Sequence, residues 1–245
     1  MSRIVIVGAT SAIAHQCAIL WAERPGTELI LVGRDKDRLT SVRHDLLVRS
    51  PQALITCREV DFLNSVAIDR AMKEIALEAP IDKALIAHGF MPDQSASQLS
   101  PELLKETLEI TGVSPMLFAE SLANLFIAAN HGTLGVISSV ADVRGRRKNY
   151  MYGSAKAMIS HFVAGLSHRV YGTNVRIVSI KPGPTATPMT AHLPARGLAK
   201  AAKVAKGITA ALDGNSRVVY LPKIWRVITL IIGLLPQPLF NRLNL

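Results

Sequence analysis

Short apolar runs alternate along the chain with longer amphipathic stretches. Ile4, Val5, Ile6 and Val7 stand in a row, so Arg3 to Val7 reads as a buried strand, and a helix ending near Glu23 follows. Further strands are predicted over residues 29–32, 54–60, 83–87, 133–138, 175–180 and 218–221. Helices are predicted between them over residues 37–49, 65–78, 102–129, 151–170 and 198–212. Leu39, Val42, Leu46 and Leu47 form the apolar stripe of the first of these, and the long 102–129 run should break near Gly112 and Pro115. Strand runs without polar alternation are those covered on both faces. The pattern predicts an α/β chain: a doubly wound, mostly parallel seven-stranded sheet with helices on both faces. It divides into a domain over residues 1–221 and a C-terminal extension over residues 222–245, with no internal repeat and no low-complexity run.

Composition narrows the class. With 245 residues and 49% hydrophobic residues the chain can build one large core, and disorder is excluded. Cys17 and Cys57 form no spacing motif, so neither a disulfide framework nor a metal site is expected, and the usage fits a reducing compartment. The first residues run straight into a strand rather than a signal segment, so a cytoplasmic location is expected. The net charge of +10 calls for an anionic partner, either a phosphorylated substrate or an acidic membrane surface. Nucleic acid is not expected as a partner, because few aromatics interleave with the basic residues and no nucleic-acid module is recognisable.

The candidate chemistry gathers after the predicted strands. Ser138 and Ser139 end the fifth strand, and Tyr152 and Lys156 lie four apart at the start of a helix, on one face. An ammonium beside a phenol should lower its pKa and let it trade a proton with a carbonyl or alcohol. Taken alone, such a pair is more often a ring laid over a lysine stem, so the remaining motifs must carry the reading. Gly8, Thr10, Ser11, Ala12 and Ile13 form a small-residue turn between strand and helix, where a doubly wound sheet receives pyrophosphate. Arg34 directly follows the second strand and suits a 2′-phosphate, which favours NADP(H), while the neighbouring Asp35 keeps NAD(H) open. Asp61 and Phe62 end the third strand, and Ala87, His88 and Gly89 the fourth. Pro182, Gly183, Thr185 and Thr187 follow the sixth, with Thr187 placed for a nicotinamide carboxamide. His88 reads as a loop residue beside the cofactor rather than as a base.

These residues resemble the short-chain dehydrogenase/reductase family over almost the whole chain. The resemblance rests on Gly8-x-x-x-Ala12-x-Ala14, Asp61, Ala87-His88-Gly89, Ser139, Tyr152-x-x-x-Lys156, Pro182-Gly183 and Thr187. Ser139 lies 13 residues before Tyr152, the family's usual spacing. The resemblance implies a Rossmann-type fold and a homodimer or homotetramer. It makes Tyr152 the proton donor or acceptor, Lys156 its pKa-lowering neighbour and nicotinamide-ribose ligand, and Ser139 the binder of the substrate oxygen. Two departures stand out: Glu109 sits where the family often has a relay asparagine, and two of three glycines are missing from the first turn. They keep open a non-catalytic NADP(H)-binding role.

A narrower likeness is to decaprenylphosphoryl-2-keto-pentose reductases of cell-envelope polysaccharide synthesis. It shows in Ser138-Ser139, the Arg144 to Lys148 loop, Tyr152-Gly153-Ser154-x-Lys156, the stretch from Met189 to Leu193, and the tail. Arg144, Arg146 and Arg147 are candidate ligands for a substrate phosphate. The tail combines Trp225, Phe240 and aliphatics with Lys223, Arg226 and Arg242, a pattern suited to lying on a membrane surface or lidding the pocket. The expected substrate is a keto-sugar on a polyprenyl phosphate, met at the inner membrane face, with a general ketoreductase of acyl or small carbonyl compounds as the alternative.

Overall fold

The computed structural model describes residues 2–243. Seven parallel strands form one sheet: β1 Ser2–Val7, β2 Thr27–Gly33, β3 Leu54–Glu59, β4 Lys83–Ile86, β5 Gly132–Ile137, β6 Val175–Pro182 and, after the short pair β7 Thr185–Ala186 and β8 Ala199–Lys200, β9 Val218–Leu221. Their order is β3-β2-β1-β4-β5-β6-β9. The order reverses between β1 and β4, where Ile4 is level with both Leu29 and Lys83. Such a reversal leaves a crevice at the carboxyl edge of the sheet.

Eleven-residue α1 Ala12–Ala22 and fourteen-residue α2 Lys36–Arg49 start where Ser11 and Asp35 accept from backbone N–H groups, and α3 Ser65–Glu78 starts on Asn64 in the same way. A short helix α4 Gln94–Ser97, absent from the predicted pattern, precedes α5 Pro101–Leu108. The expected break in the long helical run is a π-helical turn, Glu109–Val113, leading into α6 Ser114–Ala129. α7 Tyr150–Arg169 and α8 Ala201–Asp213 complete the layers, and the tail folds into α9 Trp225–Leu234 and α10 Gln237–Arg242.

The strand alternation divides the core in two. Val5, Val7, Ile30 and Val32 pack against α3, α6 and α7 on one face. Ile4, Ile6, Leu29 and Leu31 pack against α1, α2 and α8 on the other. The 101–129 run is long and apolar enough to cross a membrane by length and composition, but 56% of its most apolar window is buried in the body. Its apolar side is explained by the core it covers.

Candidate active site

A crevice of about 490 Å³ opens along the carboxyl edge of the sheet. It is lined by Gly8, Thr10, Ser11, Ala12, Ile13, Arg34, Asp61, Phe62, Ala87, His88, Gly89, Ser139, Tyr152, Lys156, Pro182, Gly183, Thr185 and Thr187. These come from the ends of six strands and from the first turns of α1 and α7, and the fold brings all of them together. Arg146 joins them, whereas Arg144 and Arg147 do not line the crevice.

At one end lies the turn after β1. Gly8 has φ +77°, and a Cβ there would fall 2.7 Å from both Cβ and N of His88. Glycine at this position lets two strand ends close against each other and leaves a groove beside the start of α1. Arg34 and, four residues on, Arg38 line the outer part of this end. Asp61 also lines it and accepts from Leu63 N–H at 2.9 Å. The His88 ring packs on Phe62 and Phe118 at centroid distances of 4.6 and 5.6 Å, and its Nε2 lies 3.0 Å from Ser114 Oγ. Burial, and then the positive charges of Lys156 and Arg34, pull the His88 pKa down to about 3, so the ring is neutral at physiological pH.

At the other end α7 presents Tyr152 and Lys156 one turn apart. The ammonium of Lys156 lies 5.7 Å from the Tyr152 ring centroid and donates to Ile137 O at 2.9 Å. Ser139 Oγ accepts from Ala141 N–H at 3.1 Å, which fixes the serine at the start of a 3-10 turn, Val140–Asp142. The expected lowering of the phenol pKa is not present. Burial pushes Tyr152 up to about 12, against a hydrogen bond with Ser139 that works downward, and the negative charge of Asp142 adds to the rise. Burial likewise draws Lys156 down to about 8, opposed by Asp142. Desolvation thus outweighs the hydrogen bond with Ser139 and holds the tyrosine in its protonated form.

Behind this pair sits a buried network absent from the sequence reading. Asp142, with a side chain only 2% exposed, pairs with Lys181 at 2.6 Å. Ser160 donates to the same carboxylate oxygen. Ser138 Oγ lies 2.6 Å from Ser160 Oγ and donates to Lys156 O at 3.1 Å. The carboxylate is therefore tied through two hydroxyls to the backbone of the lysine-bearing turn. The one acidic residue inside an otherwise basic loop was the available signal for it.

The placing of Arg144 and Arg147 as substrate-phosphate ligands also needs correction. Arg144 does not face the crevice. Its guanidinium donates to Ile232 O at 3.1 Å, Leu235 O at 2.5 Å and Gln237 Oε1, and lies 4.0 Å from the Phe240 ring centroid. It clamps α9 and α10 to the loop before α7, because the last carbonyls of a helix need donors and attract a cation. Glu109, at the position where the family often has a relay asparagine, pairs with Lys105 at 3.7 Å on a half-exposed surface. The π turn rotates the helix, so that Thr111 faces inward and its hydroxyl bridges Phe90 N and Phe90 O at 2.6 and 2.7 Å.

The substrate end has an apolar character that motif reading did not reach: Phe90, Met91, Ile110, Met189 and Leu193 line it. Trp225 of α9 packs on Gly183 so closely that a Cβ at Gly183 would overlap the indole. Thr187 exchanges bonds with Thr190, which holds the loop wall in place. Arg146 lines the crevice, donates to Val140 O at 3.3 Å and keeps a buried Nε without a partner.

The short chain dehydrogenase pattern matches residues 2–197. An uncharacterized oxidoreductase of Mycobacterium tuberculosis is 31% identical over 242 residues, 98% of this chain and 96% of its own. Another uncharacterized oxidoreductase, from Streptomyces coelicolor, is 28% identical, over 98% of this chain and 95% of its own. Among solved structures, a short chain dehydrogenase from Burkholderia cenocepacia in complex with NADP superposes with TM-score 0.84 at 19% identity, over 100% of this chain and 98% of that one. One from Sphingobium yanoikuyae in complex with NADPH gives 0.81 at 19%, over 97% of both chains. Fold, crevice and sequence agree, and the chain belongs to the short-chain dehydrogenase family of oxidoreductases.

Proposed function

We infer that the protein is an NADP(H)-dependent reductase of a carbonyl on an amphiphilic, anionic substrate, and that this substrate is a keto-sugar on a polyprenyl phosphate. The observation that carries the reductase reading is one crevice with Arg34 and Arg38 at one end and Ser139, Tyr152 and Lys156 at the other. A dinucleotide fits these residues: Gly8, where a Cβ would collide with His88, lets the turn after β1 close on the end of β4, and the start of α1 lines the groove beside it, where a helix N-terminus favours a phosphate. Arg34 and Arg38 offer guanidinium donors for a 2′-phosphate. The similarly folded structures from Burkholderia and Sphingobium carry NADP and NADPH respectively.

The bound nicotinamide supplies the hydride. The chain supplies the proton and the positioning. Ser139 and Tyr152 donate hydrogen bonds to the carbonyl oxygen. Tyr152 enters as a neutral phenol, held so by burial, and so carries the proton that the reduced oxygen takes up. Lys156, a cation at neutral pH, stabilises the phenolate left behind. A protonated resting tyrosine favours the reductive direction. On the substrate side, the unpartnered Nε of Arg146 suits an anionic group, and Met189 and Leu193 suit an apolar chain. The sugar and the polyprenyl carrier rest on the narrower family likeness. The apolar lining supports a second reading, a ketoreductase of acyl or small carbonyl compounds.

Tyr152→Phe tests the mechanism: NADPH should still bind, while reduction of keto substrates falls by about 10²-fold or more. Unchanged turnover in that variant overturns it. A non-catalytic binding role would leave no turnover to lose in the wild type.

A further inference from the structure

α9 is docked by one side only. Trp225 packs on Gly183, Thr229 and Ile232 are buried, and Gly233 lies against Val143. The opposite side is also apolar: Val227, Leu230, Ile231 and Leu234 recur at helical spacing and are between 52% and 74% exposed. Ile224, just before α9, is also 60% exposed, and Leu239 of α10 is 50% exposed. A contiguous apolar face of this kind on a folded chain marks a contact surface.

The charges around it identify what it contacts. Lys223, Arg226 and Arg242 are exposed beside the stripe, and residues 214–243 contain no Asp or Glu. Residues 121–245 hold sixteen Lys and Arg against two acidic residues. Those two are already engaged, Asp142 by Lys181, and Asp213 by Lys83 and Arg24. Nothing acidic is left in this half to balance the cations. A second copy of the chain is a poor occupant, since a two-fold contact sets the patch against itself and would bring its cations together without a carboxylate to pair them. A ten-residue helix, about 15 Å long, is too short to span a bilayer and suits lying in its interface.

We propose that the exposed face of α9, flanked by Lys223, Arg226 and Arg242, docks the protein on an anionic lipid bilayer. The docked side of α9 meets the crevice wall through Trp225 on Gly183, so a molecule lying on the bilayer by the opposite side of this helix holds its crevice close to amphiphilic substrate. That delivery role rests on the reductase reading above. The docking itself does not.

The test is flotation of the full chain with phosphatidylcholine vesicles and with vesicles mixed with phosphatidylglycerol. The chain should partition at least tenfold better onto the anionic vesicles and be released by salt. Leu230→Ser with Ile231→Ser should weaken partitioning about tenfold per residue. Lys223→Gln with Arg226→Gln should cost about fivefold per charge on anionic vesicles and little on neutral ones. Partitioning that ignores lipid charge, or that survives the serine substitutions, overturns the proposal. So does a fall in solution mass by light scattering in the serine variant, which would make the face a contact between copies. NADPH titration and turnover of a soluble keto compound run in parallel: their failure with vesicle binding intact removes the reductase reading and leaves the docking standing.

Discussion

Replacing Asp142 by Asn removes one charge from the network behind Tyr152 while keeping its shape. In the wild type the carboxylate and the Lys181 ammonium lie 2.6 Å apart, with side chains 2% and 15% exposed. Removing one member of a buried pair leaves the other desolvated and unmatched, a loss of about 3–5 kcal/mol. Lys181 retains some access to water and can extend its ammonium outward, so the lower end, about 3 kcal/mol, applies. For a chain of this size that corresponds to a fall in Tm of about 6–12 °C. Thermal and urea unfolding of Asp142→Asn, Lys181→Met and the double variant measure it as a cycle. The double variant should recover part of the loss seen in Asp142→Asn, since no unmatched charge remains. Asp142 also holds the Lys156 pKa up and pushes that of Tyr152 higher, so in Asp142→Asn both should fall, and loss of the Lys156 cation should set in at lower pH than in wild type. A stability change below about 1 kcal/mol, or a double variant whose loss equals the sum of the two single losses, would refute the argument.

Neutral His88 gives a second expectation. Its folded pKa of about 3 lies below the ordinary 6.5, so the unfolded chain takes up a proton that the folded chain refuses. Stability should therefore fall as pH drops from about 6.5 toward 3, by up to about 5 kcal/mol from this group, and His88→Asn should flatten that slope in urea titrations across the range. Arg144→Ala should free α9 and α10 and raise amide exchange over residues 225–242 selectively, with the central strands unchanged; uniform exchange would refute the clamp.

Much of this was legible in the chain itself. Uninterrupted apolar runs such as Ile4 to Val7 announced strands covered on both faces, and the turn and strand-end motifs fell at the carboxyl edge because a doubly wound sheet places all strand ends there. The spacing of Tyr152 and Lys156 put them on one helix face with no tertiary information. What sequence could not decide was where desolvation acts and which charges find partners. The phenol pKa moved upward because burial, a property of the whole fold, outweighed the hydrogen bond with Ser139. Arg144 and Arg146 look alike in the sequence, yet one clamps helix carbonyls 88 and 91 residues away while the other faces the crevice. Gly112 and Pro115 marked a break in the long helical run, but that the break is a π turn, with Thr111 bonded to Phe90 and Glu109 left on the surface, was not legible in the residue pattern. Asp142, Ser138, Ser160 and Lys181 became one network only when β5, β6 and α7 closed on each other. Periodicity is local and survives in the sequence, whereas burial and charge pairing are sums over neighbours that only the folded chain assembles.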